Sequence, residues 1–383
     1  MIEPDVSVAV SKRITLVIGS LGPGGAERNL LRLAEGLASR SYQVSVMTLN
    51  PGIKDFYALP ASVSRLQPSP DATISPRWFD LRSQFRKRNA LRDSLLHTAP
   101  DVVISFVDTC NIEVLLAVGV GHHVPVIVSE RTDWRHHPLN FRWRFLRRML
   151  YPLATRIVSL AKAPEVEARR YWPKWKTCHI PNAVPDIPES SVERPSWFGA
   201  KNVVGMGRLS DEKGFDLLIR AFADCAHLYS DWHLTILGEG PKRQALEELI
   251  SSFGLSSRIH MPGTQQFPFP ILRAADLFVF SSRYEAFGMA LAEAMACGLP
   301  VISFNCPSGP GDIVRDGIDG LLVPPGDVEG LSQTMSVLMG DSLLRERLGQ
   351  VASEVGKRFA PERILNKWIN LIEQVSSKEM ENT

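Results

Sequence analysis

Residues 277–293 read Leu-Phe-Val-Phe-Ser-Ser-Arg-Tyr-Glu-Ala-Phe-Gly-Met-Ala-Leu-Ala-Glu. The four leading apolar residues are too few for a helix. They predict a strand buried on both faces, the kind found in parallel sheets covered by helices. A helical run begins at Met289, with Gly288 at the junction. Strand, loop and helix in immediate succession are half of a βα unit. Free backbone N–H groups at such a helix start form an anion site, and a glycine there lets the anion approach the chain. Glu285 stands in the loop and Glu293 in the helix. Each carboxylate accepts hydrogen bonds with two oxygens, which suits neighbouring hydroxyls of a ribose or a hexose. Read singly, Glu293 is equally a solvated helix position and Glu285 a charge that favours the helix dipole.

The same alternation extends in both directions. Short apolar runs at 13–19, 44–49, 101–106, 124–129 and 156–160 predict strands, and Leu30, Leu31, Leu33, Ala34 and Leu37 set a helix over 27–39. Around Pro181 the rhythm stops, because Pro181, Pro185, Pro188 and Pro195 follow closely and read as a linker. A second series then predicts strands at 203–206, 234–237, 258–261, 277–280 and 301–304. Helices are predicted at 216–228, 242–253 and 289–296, and three more helical stretches close the chain, the last over about 361–375. The expected fold is α/β, with two doubly wound, Rossmann-like domains. The first covers 1–181, a proline-rich linker 182–200, the second 201–360, and a C-terminal helix at 361–383 crosses back to the first. Ligands of such sheets bind beyond the carboxyl ends of the strands, so facing domains would put the site in a cleft between them.

Composition agrees. At roughly 150 residues per domain, 383 residues make more than one domain. A hydrophobic share of 44% and a charged share of 22% exclude a disordered, collagen-like or coiled-coil chain. No run of 18 apolar residues predicts a membrane span. Residues 1–13 carry Glu3 and Asp5 and lack the apolar centre of a signal peptide. Cys110, Cys178, Cys225, Cys297 and Cys306 are scattered without a CxxC pair, which predicts free thiols in the cytoplasm and no metal site. Charge divides unevenly: residues 1–181 hold 25 Lys and Arg against 15 Asp and Glu, residues 182–383 hold 18 against 26. Two domains with different partners are expected.

Two further turns carry chemistry. Residues 205–214, Gly-Met-Gly-Arg-Leu-Ser-Asp-Glu-Lys-Gly, follow the first strand of the second domain. Arg208 offers a bidentate fork and Lys213 a point charge, and together they would clamp a diphosphate. Two cations and two carboxylates at strand ends of one domain describe a site for a nucleoside diphosphate carrying a sugar. Residues 22–28, Gly-Pro-Gly-Gly-Ala-Glu-Arg, form a glycine-rich turn after the first strand that is neither GxGxxG nor a Walker A sequence.

In combination, GGAER at 24–28, GRLSDEKG at 207–214 and the Glu285/Glu293 spacing resemble the retaining glycosyltransferases of family 4, which have the GT-B fold. The resemblance spans nearly the whole chain. VSER at 128–131 and CPSGPGDIVRDGIDGLLVP at 306–324 are similar to enzymes that build bacterial surface polysaccharides and lipid-linked oligosaccharides, many from UDP-hexoses or UDP-N-acetylhexosamines. The resemblance implies that Arg208 and Lys213 neutralise the donor diphosphate as it leaves and that Glu293 binds ribose hydroxyls. It implies that Glu285 contacts the transferred sugar and that the backbone at Phe287, Gly288 and Met289 lines its pocket. Gly24 and Gly25 would approach diphosphate and acceptor from the first domain. Ala286 stands where many relatives have glycine. Catalysis would be electrostatic, with front-face attack by the acceptor hydroxyl and no bound metal or cofactor; the absence of a DxD triplet agrees.

On the acceptor side, residues 128–137 follow a strand end, and Glu130 is the best candidate for an acceptor-binding or catalytic group; His136 and His137 read as loop residues. Two segments mix cations with aromatics. One holds Arg77, Arg82, Arg86, Lys87, Arg88 and Arg92 with Trp78, Leu81 and Phe85; the other holds Arg131, Arg135, Arg142, Arg144, Arg147 and Arg148 with Trp134, Phe141, Trp143 and Phe145. They suit an anionic membrane surface or a lipid diphosphate, which places the chain in the cytoplasm with attachment to the inner face of the membrane. The competing reading makes Trp78, Leu81 and Phe85 core. The expected partners are a nucleotide sugar and a saccharide or lipid-linked acceptor, with no nucleic acid. A UDP-sugar 2-epimerase on the same fold and a non-catalytic nucleotide-sugar binder are the alternatives.

Overall fold

The computed structural model describes residues 11–22, 24–50, 54–73, 81–119, 124–133, 140–187 and 194–377. Arg77, Trp78, Trp134, Arg135, His136, His137 and Pro188 lie outside the described residues, as do Glu3 and Asp5. The chain forms two compact units. Unit 1 comprises Met1–Ser159, Glu165–Ile180 and Leu365–Thr383, and unit 2 comprises Leu160–Pro164 and Pro181–Ile364.

Unit 1 alternates strand and helix: β1 (Arg13–Ile18), α1 (Gly25–Ala38), β2 (Gln43–Thr48), β3 (Ser64–Leu66), α2 (Leu81–Leu96), β4 (Val102–Phe106), α3 (Asp108–Val118), β5 (Val126–Ser129), α4 (Phe141–Leu150), β6 (Arg156–Ser159), α5 (Lys162–Ala168) and β7 (Thr177–His179). All pairings are parallel, in the order β3-β2-β1-β4-β5-β6-β7. β4 and β5 are buried at every position, as strands covered on both faces require. Three-residue β3 and β7 escape the sequence pattern, because Ser-Arg-Leu and Thr-Cys-His carry no apolar run.

Unit 2 repeats the plan: β8 (Lys201–Met206), α6 (Phe215–Ala226), β9 (Trp232–Leu237), α7 (Arg243–Ser252), β10 (Ile259–Gly263), α8 (Phe269–Ala274), β11 (Leu277–Phe280), α9 (Met289–Ala296), β12 (Val301–Phe304), α10 (Pro310–Ile313), β13 (Leu321–Val323), α11 (Val328–Gly340), α12 (Ser342–Ala352) and α13 (Val355–Arg358). Its parallel sheet runs β10-β9-β8-β11-β12-β13. The strand order reverses between β8 and β11, and such a switch point opens a crevice at the carboxyl ends of the two strands. Residues 182–187, the start of the expected linker at 182–200, group with unit 2. Val184 is apolar and fully buried, and its N–H donates to the Phe359 carbonyl at 2.9 Å.

The last helix, α14 (Pro361–Ser377), supplies unit 1 from Leu365 onward. Trp368 stacks on Phe106 at the end of β4, ring centroids 6.2 Å apart, and the Arg131 guanidinium lies 4.0 Å from the Phe106 centroid. The Tyr42 hydroxyl donates to Glu373 Oε1 at 2.6 Å, and Lys12 pairs with the same carboxylate. Among the described residues, no helix is long and apolar enough to cross a membrane.

Candidate active site

The two loops at the unit 2 switch point are fastened to each other. After β8 the chain passes Arg208 and forms a tight turn over Asp211–Lys213, then Gly214 at φ 61° opens α6. A Cβ on Gly214 would sit 2.1 Å from the Ser281 carbonyl oxygen, so the position needs glycine for its dihedral and for the close approach. The Ser281 hydroxyl donates to the Lys213 carbonyl at 2.9 Å, and the Arg283 N–H donates to the Glu212 carbonyl at 2.8 Å. The loop after β11 therefore lies along the loop after β8.

This fastening brings Lys213 Nζ within 2.5 Å of Glu285 Oε1. The lysine stem lies over Gly207, where an added Cβ would come within 3.3 Å of it. Burial alone would lower the Lys213 pKa, but the charge and hydrogen bond of Glu285 more than offset it, so the ammonium is held charged. Glu285 also accepts from the Ser282 hydroxyl at 2.8 Å, and its carbonyl accepts from Ser308, which follows β12. Lys213 and Ser282 thus fix the carboxylate of Glu285, and Ser308 holds its backbone. Arg208 is exposed at the same end of β8. Glu293 is buried on α9, whose first turn follows Gly288 at φ 103°; Phe287 is buried and Met289 half-buried. Burial first, then the charge of Glu285, pushes the nearby Cys306 thiol up to about 12, so it stays protonated.

Unit 1 has its own switch point, between β1 and β4. Gly24 caps α1 and Gly25 begins it. A Cβ on Gly24 would strike the Glu27 carboxylate, whereas one on Gly25 would meet nothing within 4 Å. Glu130 follows β5 and is 4% exposed. Its Oε1 accepts from the Tyr151 hydroxyl, while Oε2 is buried with no partner among the described residues. The Tyr151 oxygen accepts in turn from Asn111 Nδ2 at 3.2 Å, and the Ser105 hydroxyl donates to Asn111 Oδ1 at 2.7 Å. Burial raises the Glu130 pKa to about 7; the Arg147 charge opposes this, the Asp108 charge adds to it, and the Tyr151 hydrogen bond opposes it. The best acceptor-side candidate is thus the carboxyl of a buried network.

The fasteners leave little trace in the sequence pattern. Arg283 bonds both Asp216 oxygens, and Ser281, Ser282 and Ser308 tie the loops, yet only the Ser-Ser-Arg run before Glu285 and an aspartate early in α6 signal them. Of the residues read as candidate core on α2, Phe85 is exposed instead, because this helix carries charge on most sides.

A family model described as Glycosyl transferases group 1 matches residues 193–355, and one described as Glycosyltransferase Family 4 matches residues 23–186. The chain is a glycosyltransferase of the GT-B fold, and its two parallel sheets are the two Rossmann-like domains of that fold. Over 319 residues, 81% of the chain, it is 33% identical to the exopolysaccharide phosphotransferase SCO2592 of Streptomyces coelicolor, but it spans only 32% of that relative's length. It is 28% identical over 95% of its length, and 99% of the relative's, to a Campylobacter jejuni enzyme, GalNAc-alpha-(1->4)-GalNAc-alpha-(1->3)-diNAcBac-PP-undecaprenol alpha-1,4-N-acetyl-D-galactosaminyltransferase. The crystal structure of Anabaena Alr3699/HepE in complex with UDP superposes with a TM-score of 0.76 at 20% identity, covering 95% of this chain and 100% of that one. At that identity the likeness speaks for the fold.

Proposed function

We propose that the chain transfers a hexose or N-acetylhexosamine, with retention, from a UDP-linked donor to a saccharide acceptor carried on a lipid, in the building of bacterial surface polysaccharide or oligosaccharide. The observation that carries this reading is the Lys213–Glu285 pair at the unit 2 switch point, with Arg208 on the same loop after β8. A fixed ammonium and a guanidinium at strand ends complement a diphosphate, and an adjacent oriented carboxylate complements sugar hydroxyls. In this reading Arg208 and Lys213 stabilise the departing nucleoside diphosphate, Glu285 orients the sugar, Glu293 holds the ribose, and the backbone at Phe287, Gly288 and Met289 lines the pocket. Donor positioning and leaving-group charge stabilisation supply the rate, so the reading calls on no metal and no cofactor. Support for the nucleotide comes from the UDP held by the Anabaena protein, and for the acceptor class from the undecaprenol diphosphate in the Campylobacter enzyme's name.

Thermal shift with UDP, GDP, ADP and CMP tests the first half. A ligand at about 100 times its dissociation constant adds about 2.7 kcal/mol. A rise with UDP alone is expected, and no rise with any nucleotide or intact nucleotide sugar would sink the reading. Transfer from an α-linked UDP-sugar, followed by NMR of the new linkage, tests the second half. An α product that forms equally well in a chelator is expected, and a β product would end the retaining assignment.

A further inference from the structure

The outer face of α4 is built unlike a water-facing surface. At about 100° per residue, Trp143, Leu146 and Leu150 fall on one side of this helix, where they pack on the unit 1 core. Phe141, Phe145 and Met149 fall on the other side, at spacings of four, and are 81%, 55% and 59% exposed. A surface helix normally carries one apolar stripe, and this one carries two. Arg142 lies along one flank of the outer stripe, and Arg144 and Arg148 lie along the other. The sequence of the helix, Phe-Arg-Trp-Arg-Phe-Leu-Arg-Arg-Met-Leu, contains no acid. Tyr171 adjoins it: with Phe141, Arg144, Phe145 and Arg148 it lines a groove of about 350 Å³. Four residues on, Trp175 is exposed, with Lys176 Nζ at 5.1 Å and the Arg156 guanidinium at 5.8 Å from its ring centroid.

We infer that this face, the outer side of α4 with Tyr171 and Trp175, docks the chain on an anionic lipid surface. Phe141, Phe145 and Met149 enter the headgroup boundary while the flanking arginines meet lipid phosphates. A bilayer offers an apolar interior bordered by continuous negative charge, and aromatic rings favour that border. A second copy of the chain fits worse, because a two-fold contact would set these arginines against their own equivalents. The inference gives the proposed lipid-linked acceptor a surface to be met on, yet its test needs neither donor nor acceptor. Its failure would leave the transferase reading standing.

The test is co-sedimentation of the full chain with phosphatidylcholine vesicles, with and without phosphatidylglycerol, at low and high salt. Binding to the anionic vesicles alone, weakened by salt, is expected. Arg144→Gln with Arg148→Gln should cut partitioning roughly twenty-five-fold, at about fivefold per cation. Phe145→Ser should cut it about tenfold. Phe85→Ser, on the other basic helix, should leave it unaltered. All these side chains are exposed or flank the stripe, and unchanged melting temperatures verify folding. The inference is overturned if anionic vesicles do not bind the chain at low salt. It is equally overturned if the α4 variants bind as the parent does, if Phe145→Ser abolishes a dimer seen without lipid, or if the face binds single-stranded RNA while ignoring vesicles.

Discussion

Arg283 places its two terminal nitrogens on the two carboxylate oxygens of Asp216, at 2.8 and 2.7 Å, and so ties the loop after β11 to the first turn of α6. The guanidinium also donates to the Asp211 carbonyl at 2.7 Å. Lysine cannot make this fork. The pair is more than a third exposed, so its loss should cost stability less than about 1 kcal/mol. Arg283→Lys is expected to leave the melting temperature nearly unchanged and to lower kcat about tenfold through misplacement of Lys213 and Glu285. A large fall in stability with unaltered kcat would show the pair to be structural only.

Gly214 leaves no room for a side chain at φ 61°, against the Ser281 carbonyl. Gly214→Ala should lower stability by about 1–3 kcal/mol and weaken nucleotide binding by shifting the loop that carries Lys213. Calorimetric titration of the folded variant with UDP checks this.

Lys213 and Glu285 are bonded, so their substitutions should not add. Lys213→Gln is expected to lower kcat by about 100-fold or more, as loss of a charge that stabilises the transition state does. Glu285→Gln should also be slow, and the double variant should be faster than the product of the two effects predicts. Strict additivity in kcat would mean that the two groups act separately.

Glu130 ties stability to pH. Its folded carboxyl keeps its proton up to about 7, whereas the ordinary value is 4.5. Below 4.5 both folded and unfolded chains are protonated there and the folded state is not burdened. As pH rises from about 4.5 to 7, the unfolded chain has released a proton that the folded one still holds, so stability falls, by roughly 3 kcal/mol across the window. The groups facing it are Tyr151, Asp108 and Arg147. Glu130→Gln keeps an acceptor for the Tyr151 hydroxyl and cannot titrate. Melting temperature against pH should be flatter for the variant between pH 5 and 7, on the order of the window set by burial. An unaltered slope would place the titration elsewhere.

Trp368 is 3% exposed, stacked on Phe106. Trp368→Ala should destabilise unit 1 by about 3–5 kcal/mol while leaving nucleotide binding by unit 2 intact. Limited proteolysis with UDP present separates the two: cleavage should concentrate in residues of unit 1.

Much of this was legible in sequence. The runs at 277–280 and 301–304 coincide with β11 and β12, because a strand buried on both faces writes itself as an unbroken apolar run. Lys213 and Glu285 were legible because strand ends at a switch point are where fixed charges gather. Their contact was not, since a hydrogen bond across 72 residues leaves no local trace. The same holds for Glu130 and Tyr151: the chain shows a glutamate after a strand, and only packing shows it buried under a tyrosine 21 positions away. Three-residue β13 differs from β3 and β7: Leu321-Leu322-Val323 is apolar, but three residues are too short a run to mark a strand without its neighbour in the sheet.

The return of the chain to unit 1 at Leu365 sets the order of synthesis against the order of folding. On a ribosome, β1 to β7 emerge before unit 2, yet the end of β4 waits for Trp368 to cover Phe106. Unit 2, whose sheet is continuous in sequence from β8 to β13, can close in the meantime. Unit 1 therefore starts before unit 2 and is completed after it, and a nascent chain stalled between β13 and α14 would expose an uncovered apolar edge to the chaperones that attend translation.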